Sequence, residues 1–343
     1  MEIGVFTFAD ARHDPATGEA ISTEQRLREV VEEAELADEV GLDVFGVGEH
    51  HRPDFAVSSP ETVLAGIATR TERITLGSAV TVLSSDDPIR VFQRFSTVDA
   101  LSNGRAEVTL GRGSFIESFP LFGFDLADYE ALFAEKLDLF ATLLDEQPLH
   151  WQGRTRAPLD GQRVYPLTRG GLKAWIGVGG SPQSVVRAAR YGLPLVIAII
   201  GGPAERFAPF ADLYRRALEE VGRDELPVAV HSPGHVADTD EQALEQAWPH
   251  YKAMHDRIGG ERGWGPMSRA EFDAQTGPQG ALYVGSPETV ARKIAGTARL
   301  LGLSRFDLKY SMGTLPHDQM MRTIELYGTQ VMPMVRDMLS DSA

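Results

Sequence analysis

Hydrophobic positions along this chain switch repeatedly between two periods. Short apolar or β-branched runs alternate with longer stretches in which apolar residues recur every three or four positions. Residues 3–8 form the first run. Ser22-Thr23-Glu24-Gln25 then has the capping-box form, and Leu27, Val30, Val31, Ala34, Ala37 and Val40 follow at helical spacing up to Gly41. Residues 42–47 predict a second strand, 60–71 a helix and 74–80 a third strand. Asp87-Pro88 opens a helix with Phe92, Phe95 and Val98 on one face, and Asn103-Gly104 suits its left-handed end. Residues 105–111 are the fourth strand, followed by a helix around 128–147. A fifth strand at 174–178 leads into a helix at 182–191. The run 195–200 is apolar throughout, as expected for a parallel strand covered on both faces. An amphipathic helix at 207–221, a strand at 228–236, a helix at 240–257, a helix at 286–301 and a strand at 305–310 complete the alternation. In the last helix, Met320, Ile324, Tyr327, Val331, Met334 and Met338 form a core-packing stripe.

Eight strands, each followed by helix, predict an α/β protein: one (β/α)8 TIM barrel, a single domain over 1–343, with insertions after strands 4 and 7. The insertions are 149–173 and the glycine-rich 258–284. Segments of that length and composition predict lids or loose connections. No internal repeat or low-complexity segment is present.

With 343 residues, 43% of them hydrophobic and 24% charged, the chain can bury a large core without staples. It contains no cysteine, which excludes disulfides, thiolate metal sites and cysteine nucleophiles. The formal net charge of −16 repels phosphate backbones, so no nucleic-acid partner is expected. No run approaches the length of a membrane span, and the first residues lack a basic signal region; a cytoplasmic location is expected.

In this architecture chemistry sits at the carboxyl ends of the strands. Strand two ends at Glu49-His50-His51, strand three at Ser78-Ala79-Val80-Thr81, strand four at Gly111-Arg112-Gly113, and strand five at Val178-Gly179-Gly180-Ser181-Pro182-Gln183-Ser184. Ser181 suits an N-cap and Pro182 the first helical position, so free N–H groups and the helix dipole can hold a phosphate there. The same Ser-Pro-x-[Ser/Thr] pattern recurs at Ser59 and Ser286, where it reads as a helix start alone. Arg112 can reach an anion at the barrel mouth or pair with a surface carboxylate. His50 and His51, neighbours on extended chain, point to opposite faces. They are therefore poor joint chelators, no His-Glu-x-x-His spacing exists, and no metal is expected. An acid/base role for one of them and a purely structural role both remain open.

Taken in order, several segments resemble the bacterial-luciferase-like flavin-dependent monooxygenases. They are Ile3-Gly4-Val5-Phe6, Glu49-His50-His51, the run Leu76 to Leu83, Asp87-Pro88-Ile89-Arg90, Leu101-Ser102-Asn103-Gly104-Arg105, Gly111-Arg112-Gly113, Gly192-Leu193-Pro194, Val284-Gly285-Ser286-Pro287-Glu288 and Val331-Met332-Pro333. The resemblance implies FMN across the barrel mouth, with its ring beside a non-proline cis peptide that maps onto Ala79-Val80. Gly111 stands where the light-emitting subunit has a cysteine near the flavin, which argues against bioluminescence. Arg112, Gly180, Ser181 and Ser184 map onto phosphate-binding positions, with Val178 and Gly179 leading into them, and His50 onto the acid/base histidine. The implied activity uses reduced FMN and O2 to oxygenate an unidentified small organic substrate. Reduced flavin would come from NAD(P)H, through a separate reductase, since no dinucleotide fingerprint is present. A homodimer is implied as well. Alternatives are a deazaflavin-dependent dehydrogenase on the same barrel, a non-catalytic flavin-binding protein, and a phosphosugar-type barrel enzyme with Lys309 as its lysine. The roles of Glu49, His51 and His235 are left open.

Overall fold

A computed structural model describes residues 1–11, 19–113 and 115–340. Eight parallel strands run β1 (Glu2–Thr7), β2 (Val44–Val47), β3 (Thr75–Ser78), β4 (Ala106–Gly111), β5 (Lys173–Val178), β6 (Leu195–Ala198), β7 (Val228–Val236) and β8 (Arg305–Lys309). Each pairs in parallel with the next, and β8 returns to β1, so the sheet closes on itself. The expected (β/α)8 barrel is therefore present.

Alternation along each strand divides the protein into two cores. Val5, Phe45, Leu76, Val108, Ile176, Ile197, Val230 and Phe306 point outward and join the helices in one continuous apolar layer. Each such side chain, fully buried, contributes about 1.5–3 kcal/mol, so this layer supplies most of the stability. The barrel interior differs. A small apolar patch of Trp175, Val196 and Ala229 lies beside a buried ionic group. Arg305 donates from Nε to Asp307 at 2.7 and 2.9 Å and from Nη1 to Glu107. His231 shares a hydrogen bond with Asp307 at 3.0 Å and stacks on Phe6. Trp175 Nε1 donates to Glu107 at 3.1 Å.

The helices begin where their caps predict. Ser22 accepts from the Gln25 N–H, Asp87 from Ile89 and Arg90, Ser181 from Ser184, and Ser286 from Thr289. The Gln25 side chain turns to Glu29 instead of closing a capping box. A complete box forms at Ser268 and Glu271, within the insertion after strand seven.

Neither insertion is loose chain. The segment after strand four forms an antiparallel hairpin, Leu149–Trp151 with Leu159–Gln162. Trp151 donates to Asp138, and Thr155 to Glu135, so the hairpin packs outside the helix Tyr129–Leu143 rather than over the mouth. After strand seven the helix Asp240–Arg262 runs five residues past its expected end at 257, a second helix spans Arg269–Thr276, and the strand Tyr283–Gly285 pairs with the end of β7. The first of these helices meets the loops at the strand ends: His250 bonds Thr314 at 2.8 Å, Arg257 pairs with Asp54 at 2.8 Å, and Glu261 pairs with Arg52. No helix among the described residues is long and apolar enough to cross a membrane.

Candidate active site

Strand three ends earlier than expected. After Ser78 the chain passes through a cis peptide bond between Ala79 and Val80, at the position the resemblance implied, and pairs with β4 again at Thr81–Val82. The neighbouring strands leave room for this dipeptide because they carry glycine. A Cβ on Gly111 would lie 2.5 Å from Val80 Cγ2, and one on Gly177 would lie 2.9 Å from Val80 Cγ1. Gly46 approaches Ala79 from the other side. Val178 faces outward into the apolar layer, so at this level only its backbone lines the mouth.

The loop after β2 separates its two histidines. His51 Nε2 hydrogen-bonds Glu49 Oε1 at 2.9 Å, and Glu49 Oε2 accepts from the Val82 N–H at 2.8 Å. Glu49 thus fastens this loop to the chain beyond the cis bond. His50 turns the other way, into an aromatic enclosure. Its ring centroid lies 4.5 Å from Phe8, 4.3 Å from Phe55 and 5.2 Å from Phe115. Its Nε2 is buried without a hydrogen-bond partner among the described residues. Burial in this apolar setting pushes its pKa down to about 3, so the imidazole is neutral through the ordinary pH range.

A charged clasp covers the enclosure. Arg52 donates to Asp54 at 2.9 and 3.0 Å and also bonds Glu117 and Glu261. Its guanidinium lies 4.6 Å from the Phe115 ring centroid, and that of Arg262 lies 5.0 Å from it. The clasp joins the loops after β2 and β4 to the helix that follows β7.

Beneath Phe8, Lys309 donates to both oxygens of Asp10 at 3.1 Å, and Ser311 also bonds Asp10. The ammonium weighed as the lysine of a phosphosugar enzyme is thus held inside a buried ion pair. His235 bonds Gln246 and Thr323 behind β7, in the packing between that strand and its helices.

The fifth-strand end and Arg112 come together through a residue the pattern did not single out. Arg112 Nη1 pairs with Glu130 Oε2 at 2.8 Å, and Arg187 pairs with the other oxygen of the same carboxylate. Burial raises the Glu130 carboxyl, but the two guanidiniums outweigh it and hold its pKa below the ordinary value. Gly179 and Gly180 are exposed, and Ser181 caps the helix Pro182–Tyr191. Among the described residues, the Ser184 hydroxyl is buried with no partner, as is Arg187 Nη1. Arg187 lay three residues beyond Ser184, on one helix face, and that spacing was the available signal.

These features fit a planar cofactor that carries a phosphate. Orphaned donors and two cations gather at β4–β5, a glycine-flanked surface lies over β3, and a partnerless imidazole stands at β2.

Known proteins identify the family. The family model described as luciferase-like monooxygenase matches residues 1–305. The 4-hydroxyprotoasukamycin monooxygenase of Streptomyces nodosus subsp. asukaensis is 32% identical over 237 residues, 65% of this chain, and the chain spans 63% of that relative's length. A monooxygenase from Streptomyces bottropensis shares the fold with a TM-score of 0.84 at 23% identity, over 97% of this chain and 99% of that one. The oxygenating constituent of 3,6-diketocamphane monooxygenase from Pseudomonas putida, solved with FMN, shares it at 0.77 and 19%, over 98% of each chain. An F420-dependent secondary alcohol dehydrogenase shares it at 0.74 and 17%, over 98% of this chain and 99% of its own. At such identities the structures speak for the fold alone. The family match spans most of the barrel, and the chain belongs to the luciferase-like monooxygenases.

Proposed function

We propose that this protein binds FMN across its barrel mouth and uses the reduced flavin with O2 to oxygenate a small organic substrate. The observation that carries the reading is the order of features along neighbouring strands. The cationic end with its orphaned hydroxyl lies at β4–β5, the glycine-flanked Ala79-Val80 surface over β3, and His50 at β2. A phosphate, a ring system and a reacting edge would occupy those three places in turn.

In this reading Arg112, Gly180, Ser181 and Ser184 hold the phosphate, and Gly111, Ala79 and Val80 support the ring. Val178 and Gly179 contribute backbone where the chain leaves β5. Reduced flavin, when bound, supplies the two electrons and the activation of O2. The protein supplies orientation, dryness and a proton acceptor. His50, kept neutral by its surroundings, is placed to take a proton from the reacting edge, and it is a weak base until a bound cofactor supplies the partner its buried Nε2 lacks. Phe8, Phe55 and Phe115 exclude water around it, and the Arg52 clasp keeps Phe115 in place. Reducing equivalents would come from NAD(P)H through a separate flavin reductase.

Titration with oxidised FMN, followed by flavin fluorescence, tests the reading. Saturable binding in the micromolar range, and substrate-dependent oxygen uptake when reduced FMN is supplied, are the expected results. Absence of FMN binding at high micromolar concentration sinks it. A deazaflavin is the second reading, since the two arginines can also hold a phosphate of that cofactor; hydride transfer without oxygen uptake distinguishes it.

A further inference from the structure

Three side chains at the phosphate end do not balance in charge. Arg112 and Arg187 together carry two positive charges, Glu130 carries one negative, and one positive charge is left. The guanidiniums are held in place. Arg112 lies over the Tyr129 ring at 5.2 Å and Arg187 over the Phe133 ring at 5.5 Å. Their side chains are 27% and 17% exposed, whereas that of Glu130 is 55% exposed. The carboxylate can therefore swing into water at little desolvation cost, and the arginines cannot. Arg187 also keeps Nη1 buried and unpartnered, and one turn earlier on the same helix the 3%-exposed Ser184 keeps its hydroxyl unpartnered. Donors buried without acceptors are costly, so this corner is built for a further acceptor.

We propose that Arg187 is a second cationic anchor, beside Arg112, for the terminal phosphate of the cofactor, and that Glu130 holds both guanidiniums in place until that phosphate displaces it. The inference rests on the reading of the site as one for a phosphate-bearing flavin. A phosphate monoester dianion neutralises both arginines, where the carboxylate neutralises one charge. It also supplies acceptors for Arg187 Nη1 and the Ser184 hydroxyl. Riboflavin, lacking the phosphate, cannot displace Glu130, so discrimination between the two flavins resides in this triad.

Fluorescence titrations of FMN and riboflavin against the wild type, Arg187→Ala, Arg187→Lys and Glu130→Gln test the proposal at one fixed ionic strength. Arg187→Ala is expected to weaken FMN by roughly ten- to a hundred-fold, as for the loss of a charge-assisted hydrogen bond. Riboflavin affinity should stay unchanged, which also shows that the variant is folded, and Arg187→Lys should recover part of the loss. Glu130→Gln should tighten FMN several-fold and leave riboflavin alone. The proposal is overturned if Arg187→Ala affects both flavins alike or neither, or if Glu130→Gln weakens FMN. Inorganic phosphate separates this inference from the flavin reading. If the wild type binds neither flavin, yet phosphate raises its melting temperature and Arg187→Ala removes that rise, the anion site stands and the flavin reading falls. If neither flavin binds and phosphate has no effect, both fall.

Discussion

The residues Glu49, His50 and His51 show how little separates three roles. Extended backbone sends adjacent side chains to opposite sides, which was readable without a structure. Which side is dry was not, because Phe8, Phe55 and Phe115 come from three different segments. His51 is a tether to Glu49, and Glu49 a tether to Val82. His50 alone keeps a buried, partnerless nitrogen. Replacing His50 by Ala should lower turnover by about a hundred-fold or more, the usual contribution of a general base, while FMN affinity changes little. Steady-state rates set beside a flavin titration check this; equal losses in both would undo the assignment. The same burial has a pH consequence. With the folded-state pKa lowered to about 3, the unfolded chain takes up its proton first, near the ordinary value of 6.5. The contribution of neutral His50 is complete above that value and is lost as pH falls from about 6.5 toward 3. His50→Gln should therefore flatten the fall of melting temperature over this window, and parallel wild-type and variant curves would refute the argument.

Among the elements, strands two, five and six were readable as short, largely apolar runs, and strands four and seven as β-branched or apolar runs between turn residues. The third strand was not fully so. Its run 74–80 looks continuous, but the ladder stops at Ser78 and resumes at Thr81 around the cis bond. Nothing local in the run marks that break; its room is made by Gly46, Gly111 and Gly177 on other strands. Gly111→Ala should cost about 1–3 kcal/mol in stability through overpacking, because its Cβ would sit 2.5 Å from Val80 Cγ2. It should also weaken flavin binding by displacing Val80. Gly179→Ala, with no atom within 4 Å of its Cβ, is the control and should cost much less. Calorimetry on both variants makes the comparison, and similar losses would contradict it. The insertions misled for a related reason. Glycine content suggested loose chain, yet long-range contacts order both, and their helices and hairpin pack mainly against the outer layer.

For the whole molecule, the least readable feature is the polar barrel interior. Arg305-Phe306-Asp307-Leu308-Lys309 alternates as a half-exposed strand would, yet all five residues are buried. The polar positions point inward, where Glu107 of β4, His231 of β7 and Asp10 beyond β1 meet them. Such a group is weak evidence for net stability, but breaking it leaves uncompensated charge. Arg305→Met should cost about 3–5 kcal/mol, because it strands Glu107 and Asp307 inside the barrel. Urea denaturation gives the measurement, and a loss below about 1 kcal/mol would show that water or protonation relieves the site.

The order of strands and helices, the barrel they close into and the family were all determined by the sequence itself. They depend on local periodicity, caps and short motifs, which are properties of neighbouring residues. Tertiary structure alone decided that His50 is dry and His51 tethered, that Arg112 shares Glu130 with Arg187, and that a charged strand is buried. Near partners such as Glu49 and Phe55 lie within reach of the local chain, but Phe8 and Phe115 around His50, Glu130 and Arg187 beside Arg112, and Glu107 against Arg305 come from distant segments, and no local pattern encodes their burial or counter-charge.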